Sequence, residues 1–159
     1  MDRVKEDILS YLAESGADAG HMLAMRPFYH QRVMHYSPPE QDALIPALES
    51  LVADGDLEER NGSYFLTEKG LSRIYPGGEA QAVNEVKDDI LDFFKSNRSR
   101  VGHAFSARPF FARYAIKYNP LQKRAVDQAA NELVQEGALE ERDGGHFLTQ
   151  AGCDRIYAA

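Results

Sequence analysis

Two pairs of adjacent carboxylates are the first residues in this chain whose chemistry could be catalytic. Glu58-Glu59 and Glu140-Glu141 stand in short runs that are typical of β-strands. General acid–base catalysis needs both groups within hydrogen-bond reach of one substrate. Neighbouring residues of a strand point to opposite faces, so the carboxylates of each pair do not converge. No Ser/His/Asp set or phosphate-cradling glycine loop accompanies them, and we therefore predict that the protein is not an enzyme.

The histidines and the single cysteine are the residues that could bind a metal ion. His21 and His103 each follow a glycine at repeated positions, and Cys153 stands alone. None has a Cys or His partner at ligand spacing, which favours hydrogen-bonded turn histidines. We therefore predict no metal and no cofactor. A single cysteine excludes an internal disulfide and fits a reducing cytoplasm.

Length and charge limit the class of protein. The chain has 159 residues, 43% of them hydrophobic, and a net charge of −7. This length allows one ordinary domain or two small ones. No apolar run is long enough to span a membrane, and the charged residues 1–7 are unlike a signal peptide. We expect a cytoplasmic protein with no membrane partner, whose overall acidity argues against nucleic acid.

The chain is an internal duplication. A shift of 82 residues aligns residues 4–75 with residues 86–157 without insertion, and 29 of the 72 aligned positions are identical. Two copies of one fold are expected, because both must satisfy the same packing. We assign residues 1–75 to an acidic first repeat, residues 76–85 to a short linker and helix lead-in, and residues 86–159 to a more basic second repeat.

Each repeat begins with two predicted helices. Apolar residues at helical spacing predict the first helix, over residues 4–12 and 83–94. The second is expected from Arg26 to about Tyr36 and from Arg108 to about Tyr118, because the proline that follows each arginine suits a first helical turn. We expect each of these arginines to pair with an acidic neighbour.

A third helix follows in each repeat. It begins at Ser37-Pro38 or Asn119-Pro120, a capping residue followed by proline, and ends at Gly55 or Gly137. Pro46 lies inside it in the first repeat and is expected to kink it, because proline removes one helix hydrogen bond. The second repeat has a glutamine there and should be straighter.

A tight β-hairpin comes next. Its centre is Asn61-Gly62 or Asp143-Gly144, dipeptides that accept positive φ at both centres of a type I′ turn. Phe65 and Phe147 fall on the hairpin face opposite the leucine pairs. Both faces of the hairpin then carry apolar side chains, and we expect the other repeat or a partner to pack against them.

This order of elements resembles the winged-helix variant of helix-turn-helix. The most specific motif is Gly-x-Leu at Gly55–Leu57, a hairpin, and Leu-Thr-x-x-Gly at Leu66–Gly70, repeated at Gly137–Leu139 and Leu148–Gly152. Bacterial winged-helix regulators often have this shape. The resemblance implies an α+β fold, mostly α, with two tandem winged-helix units, each of three helices, a short β-hairpin wing and a short final helix. It is weakly specific for function.

In that family the third helix usually enters the DNA major groove, and the wing touches the backbone. The exposed side of this helix in the first repeat is acidic and would repel phosphate: Glu40, Gln41, Asp42, Ile45 and Glu49. The same positions in the second repeat are Gln122, Lys123, Arg124, Asp127 and Asn131. Lysine or arginine there could bind guanine, and glutamine or asparagine could bind adenine.

The charge distribution also favours the second repeat. Residues 4–75 have a net charge of −6 and residues 86–157 a net charge of +1. The excess base stands ahead of the second hairpin, at Lys95, Arg98, Arg100, Arg108, Arg113, Lys117, Lys123 and Arg124. We therefore predict a DNA-binding protein, a transcriptional regulator that binds duplex DNA. The predicted contacts are Arg113, Lys117, Gln122, Lys123, Arg124 and Asn131.

The hairpin tips support an alternative. Asn61-Gly62-Ser63 and Asp143-Gly144-Gly145 contain no lysine or arginine, so neither tip offers a phosphate clamp. Acidic tandem winged-helix proteins that clamp a partner peptide, such as the kleisin-binding subunits of chromosome-condensing complexes, are similar in outline. A protein-interaction scaffold without direct DNA contact thus remains open, and the sequence predicts no oligomeric state.

Overall fold

The computed structural model describes residues 1–158, and the chain divides into two compact units, Met1–Pro76 and Gly77–Ala159. The first unit contains α1 (Asp2–Glu14), α2 (Met25–Gln31), α3 (Pro38–Asp42), α4 (Leu44–Ala53), β1 (Leu57–Arg60), β2 (Ser63–Leu66) and α5 (Glu68–Ile74). The second contains α6 (Gly78–Ser96), α7 (Ala107–Arg113), α8 (Pro120–Gln135), β3 (Leu139–Arg142), β4 (Gly145–Leu148) and α9 (Gln150–Ile156). The order of elements is thus repeated.

The fold is mixed α+β and mostly helical, as the sequence predicts, with a small antiparallel hairpin in each unit. The first helix of each unit supplies much of the core. α1 buries Ile8 and Leu12, and α6 buries Ile90 and Phe94, because residues four apart lie on one face of a helix. α6 begins at Gly78, so most of the predicted lead-in is already helical. None of the described helices is long and apolar enough to cross a membrane.

The second helix of each unit is shorter than predicted. α2 and α7 end before a 3-10 turn, Val33–His35 or Ala115–Lys117, so the continuous helix expected to about Tyr36 and Tyr118 is wrong. Phe28 and Val33 are both buried, yet residues five apart point about 140° apart on a continuous helix. The break turns both side chains into the core.

Ser37 and Asn119 cap the third helix, as predicted. Each side chain accepts a hydrogen bond from the backbone N–H three residues later. The side chain of that later residue, Glu40 or Gln122, accepts in return from the N–H of the capping residue. Both helices therefore begin with a complete capping box.

Pro46 interrupts the third helix of the first unit. The helix breaks at Ala43, between α3 and α4, whereas α8 runs without interruption through the equivalent Gln128. Pro46 has no N–H for the carbonyl oxygen of Asp42, and its ring crowds that carbonyl. The helix is therefore interrupted one residue after the unbonded carbonyl, although Ala43 keeps helical φ and ψ.

Each hairpin turns on two residues with positive φ. The φ angles are 52° and 81° at Asn61 and Gly62 and 51° and 78° at Asp143 and Gly144, which confirms the predicted turn. A third extended segment pairs with the second strand of each hairpin, through bridges between Met22 and Phe65 and between Ala104 and Phe147. This segment leads directly into α2 or α7.

The Leu-Thr-x-x-Gly motif ties the last helix of each unit to the end of the third. The hydroxyl of Thr67 donates to the carbonyl oxygen of Gly55 (2.6 Å) and accepts from the N–H of Gly70 (3.0 Å). A Cβ atom on Gly70 would lie 2.2 Å from the carbonyl oxygen of Asp56. Thr149 and Gly152 repeat these contacts in the second unit. Only glycine allows so close an approach.

A tyrosine after the last helix holds the loop that follows the first helix. The hydroxyl of Tyr75 donates to the carbonyl oxygen of Ala17 (2.9 Å), and that of Tyr157 donates to the carbonyl oxygen of Ser99 (2.8 Å). Donor and acceptor are 58 residues apart in both cases. Each unit is thus joined from its last element back to its first loop.

Candidate nucleic-acid interface

The outward face of α8 carries three of the predicted DNA-binding residues. Lys123 and Arg124 lie in its first turn, Asn131 lies two turns further on, and all three are exposed. The opposite side of the helix is buried in the core. Asp127 is exposed between them, so this face combines two cations, an amide and one carboxylate.

Arg113 and Lys117 lie outside α8. Arg113 is the last residue of α7, and its Nη1 donates to Oδ1 of Asn97 at the end of α6 (3.1 Å). Its guanidinium also lies 5.5 Å from the ring centre of Tyr114. Lys117 ends the 3-10 turn and is exposed. The predicted contacts therefore come from α7, the 3-10 turn and α8, rather than from one helix.

Gln122 has a structural role. Its Oε1 accepts from the N–H of Asn119 (3.0 Å), and its Nε2 donates to the carboxylate of Glu85 (2.6 Å). Both ends of the amide are thus bonded within the unit, so Gln122 has no free end for a base contact. The capping-box spacing of Asn119 and Gln122 is the sequence signal that could have shown this role.

The cations of the first unit are mostly neutralised by carboxylates of the same unit. The salt bridges join Arg3 to Glu40, Lys5 to Asp54, Arg32 to Asp7 and Glu14, Arg60 to Glu58, and Arg73 to the buried Asp56. Arg26 forms no salt bridge among residues 1–158, contrary to expectation. With a net charge of −6 over residues 4–75, this unit has little positive charge to offer a phosphate.

The second unit differs. Its Lys87, Arg142 and Arg155 form salt bridges. Seven exposed cations form none within the described part of the chain: Lys95, Arg98, Arg100, Arg108, Arg113, Lys117 and Lys123. The predicted acidic neighbour of Arg108 is thus missing. No carboxylate of the described residues pairs with these side chains, so they are accessible to an external anion.

All seven fall in one stretch, residues 95–124, which we name the cationic segment. It holds eight basic and no acidic residues, whereas the equivalent residues 13–42 hold two basic and four acidic ones. The segment runs from the end of α6 through α7 and the 3-10 turn to the first turn of α8. The absence of carboxylates can be read directly from the sequence. It distinguishes this segment from the rest of the chain better than the net charge of the second repeat does.

Carboxylates near the end of α8 are balanced by neighbouring helices. Lys87 of α6 contacts Glu132 (3.4 Å) and Glu136, and Arg155 of α9 contacts Glu136 (2.8 Å). The pKa of Glu136 is lowered mainly by the hydrogen bond from Lys87 and next by the one from Arg155. The same bond to Glu136 raises the pKa of Lys87. Two cations and two anions cancel here, so the cluster adds little field to the cationic segment.

The hairpins use their own arginines. The guanidinium of Arg60 lies 4.0 Å from the ring centre of Phe65, and that of Arg142 lies 4.3 Å from that of Phe147. Each arginine also pairs with a glutamate of its own hairpin. Each phenylalanine thus has an arginine of its own hairpin over its ring and is half-buried. Its cover by the other repeat or by a partner stays a prediction. Both hairpin arginines thus already have a carboxylate and a ring as partners.

Among residues 1–158, no group of three or more His, Cys, Asp or Glu side chains is placed to hold a metal ion. In comparisons with known proteins, no family model, no curated protein and no solved structure matches the chain.

Proposed function

We propose that the protein binds duplex DNA through its second unit and acts as a transcriptional regulator. The observation that supports this most is the set of seven exposed cations in the cationic segment that no carboxylate neutralises. DNA phosphates would supply the missing partners, and the release of their counterions would drive binding. The net charge of −7 does not oppose this, because the acidic residues are concentrated in the first unit.

Lys123 and Arg124 would contact base edges from the first turn of α8, and Asn131 would extend the contact along the same face. Arg113 and Lys117 would contact phosphates and fix the register. The resemblance to winged-helix regulators supports this use of the third helix. The hairpins differ from that family's usual wing, because Arg60 and Arg142 are already bound to phenylalanine and glutamate.

Binding to a fluorescent duplex library at low salt tests the proposal. Lys123→Glu/Arg124→Glu should weaken binding by at least about a hundredfold, because it replaces two attractive contacts by two repulsive ones. Fluorescence anisotropy at several salt concentrations measures both the affinity and the number of phosphate contacts. The proposal is wrong if the wild-type protein binds no duplex, or if the double variant binds as tightly as the wild type.

The internal repeat offers a matched control. Arg108→Glu lies in the cationic segment, and Arg26→Glu changes the equivalent position in the first unit. Both arginines are exposed and form no salt bridge with the described residues, so both variants should fold. Arg108→Glu should weaken DNA binding several times more than Arg26→Glu, which changes only the long-range repulsion from the first unit. Equal losses would mean that net charge, not the second unit, governs the interaction.

A protein-binding role for the first unit is the second candidate. Ile45 is 54% exposed on α4, between the exposed Asp42 and Glu49. An apolar side chain with acidic neighbours suits a basic protein segment better than a phosphate. A photo-crosslinking residue at position 45 would test this in cells. Protein adducts that Asp42→Lys/Glu49→Lys abolishes would favour this role, and adducts only to nucleic acid would exclude it.

A further inference from the structure

A groove lies between the end of α6 and the start of α7 in the second unit. Its volume is about 570 Å³, and its lining includes Asn97, His103, Ala104, Ser106 and Pro109. No carboxylate contributes to this lining. None of the lining residues belongs to α8, whose outward face carries the proposed base contacts.

Three polar side chains that line the groove can donate hydrogen bonds. Oδ1 of Asn97 is used by Arg113, which leaves the amide NH₂ to donate. Nδ1 of His103 accepts from the N–H of Arg100 (3.1 Å), so the neutral ring carries its proton on Nε2. Ser106 occupies the N-cap of α7, but its hydroxyl does not cap the helix. Three donors and no acceptor carboxylate suit the oxygens of a phosphate.

Cations adjoin these lining residues. Arg98 follows Asn97, Arg108 precedes Pro109, and Arg113 is bonded to Asn97. Arg98 has a φ of 53°, in the left-handed region that disfavours side chains, whereas the equivalent Gly16 has a φ of 68°. The end of α6 fixes this conformation through hydrogen bonds from the N–H groups of Arg98 and Ser99 to the carbonyl oxygens of Lys95 and Phe94. Arg98 is therefore an exposed cation next in sequence to the groove residue Asn97.

The first unit shows what the same loop looks like without these features. Gly16, Asp18, Met22 and Ala24 stand where the second unit has Arg98, Arg100, Ala104 and Ser106. Two cations are thus replaced by a glycine and a carboxylate, and a donor is lost. Met22 is also far bulkier than Ala104 and lies exposed on the surface. Every one of these exchanges would disfavour an anion.

We propose that this groove binds the phosphodiester backbone of a nucleic acid, as a contact separate from the outward face of α8. The inference rests on the proposed function, since the groove and α8 would hold the same molecule. Direct phosphate contacts at Arg98, Ser106 and the amide of Asn97 would position the duplex without reading its sequence.

Two substitutions copied from the first unit test the proposal in the full chain. Arg98→Gly should weaken binding to duplex DNA about fivefold and reduce the slope of log affinity against log salt by about 0.9, the value for one lost phosphate contact. Its urea midpoint should stay the same or rise, because glycine prefers this φ. Ala104→Met places a bulky side chain at the groove without changing the charge and should also weaken binding. Met22→Ala, the reverse exchange in the first unit, is the matched control and should bind like wild type.

The outcomes separate the two proposals. If Lys123→Glu/Arg124→Glu weakens binding but Arg98→Gly and Ala104→Met do not, the groove proposal is wrong and the DNA-binding function stands. If wild-type protein binds no duplex, both are wrong. Binding of inorganic phosphate and of vesicles of phosphatidylglycerol and phosphatidylcholine is measured in parallel. These measurements show whether the groove prefers a nucleic acid, free phosphate or a lipid headgroup. Vesicle binding that Ala104→Met abolishes, with duplex binding unchanged, would overturn a nucleic-acid ligand.

Discussion

Single residues decide how closely the last helix of each unit approaches the rest. Gly70 and Gly152 stand at the third position of α5 and α9, where glycine normally weakens a helix. Both face a backbone carbonyl at a distance that excludes a Cβ atom. The sequence shows the Leu-Thr-x-x-Gly motif, and only the structure shows why its last residue must be glycine. The same contact explains why the motif has a threonine. The hydroxyls of Thr67 and Thr149 donate to the carbonyl oxygens of Asp56 and Ala138, which the two glycines approach.

Gly152→Ala should therefore destabilise the protein by about 2–3 kcal/mol, because its Cβ would lie 2.1 Å from the carbonyl oxygen of Ala138 and overpacking of this kind is costly. Ala151→Gly, at the exposed position before it, is the control and should cost only about 1 kcal/mol through helix propensity. Urea unfolding followed by circular dichroism measures both. A Gly152→Ala variant more stable than wild type would show that the last helix can move away.

At the scale of elements, local signals predicted some boundaries and missed others. Asn61-Gly62 and the capping residue Ser37 act through neighbouring backbone, so their turn and helix start could be predicted without tertiary information. The break after α2 could not, since it depends on Phe28 and Val33 having to reach one core. The role of Gln122 was also missed, although its spacing from Asn119 carries the signal.

The interrupted third helix gives a paired prediction. Gln128→Pro should destabilise the second unit by about 3 kcal/mol, because α8 would lose a hydrogen bond and gain a clash. Pro46→Gln in the first unit should be neutral or stabilising and should increase helical circular dichroism as α3 and α4 join. Urea midpoints of the two variants, compared with wild type, give the answer. A loss of stability in Pro46→Gln would mean that the core requires the break at Ala43.

At the scale of the whole molecule, the two units share one fold pattern and differ in charge. Carboxylates neutralise most cations of the first unit, while the cationic segment of the second has none. Sequence counting could locate this segment. It could not show that Arg60 and Arg142 are bonded within their hairpins, or that Arg113 reaches Asn97.

If the second unit binds DNA as proposed, this difference in charge should affect the rate of association. Asp42→Asn/Glu49→Gln removes two exposed negative charges from the first unit and should raise the association rate constant about twofold at low salt, because it lessens long-range repulsion. At about 0.5 M salt the gain should vanish, since screening shortens the field. Stopped-flow fluorescence measures both rates. A gain that persists at high salt would instead indicate direct contact between this face and DNA.

The tyrosine tethers bear on the order in which the chain can fold during synthesis. Tyr75 reaches back to Ala17 across nearly the whole first unit, so that unit cannot close until its last residues have been made. All partners of this tether nevertheless precede Pro76. The first unit can therefore finish folding while the second is still being translated. The newly made cationic segment would then emerge beside an acidic domain that is already closed.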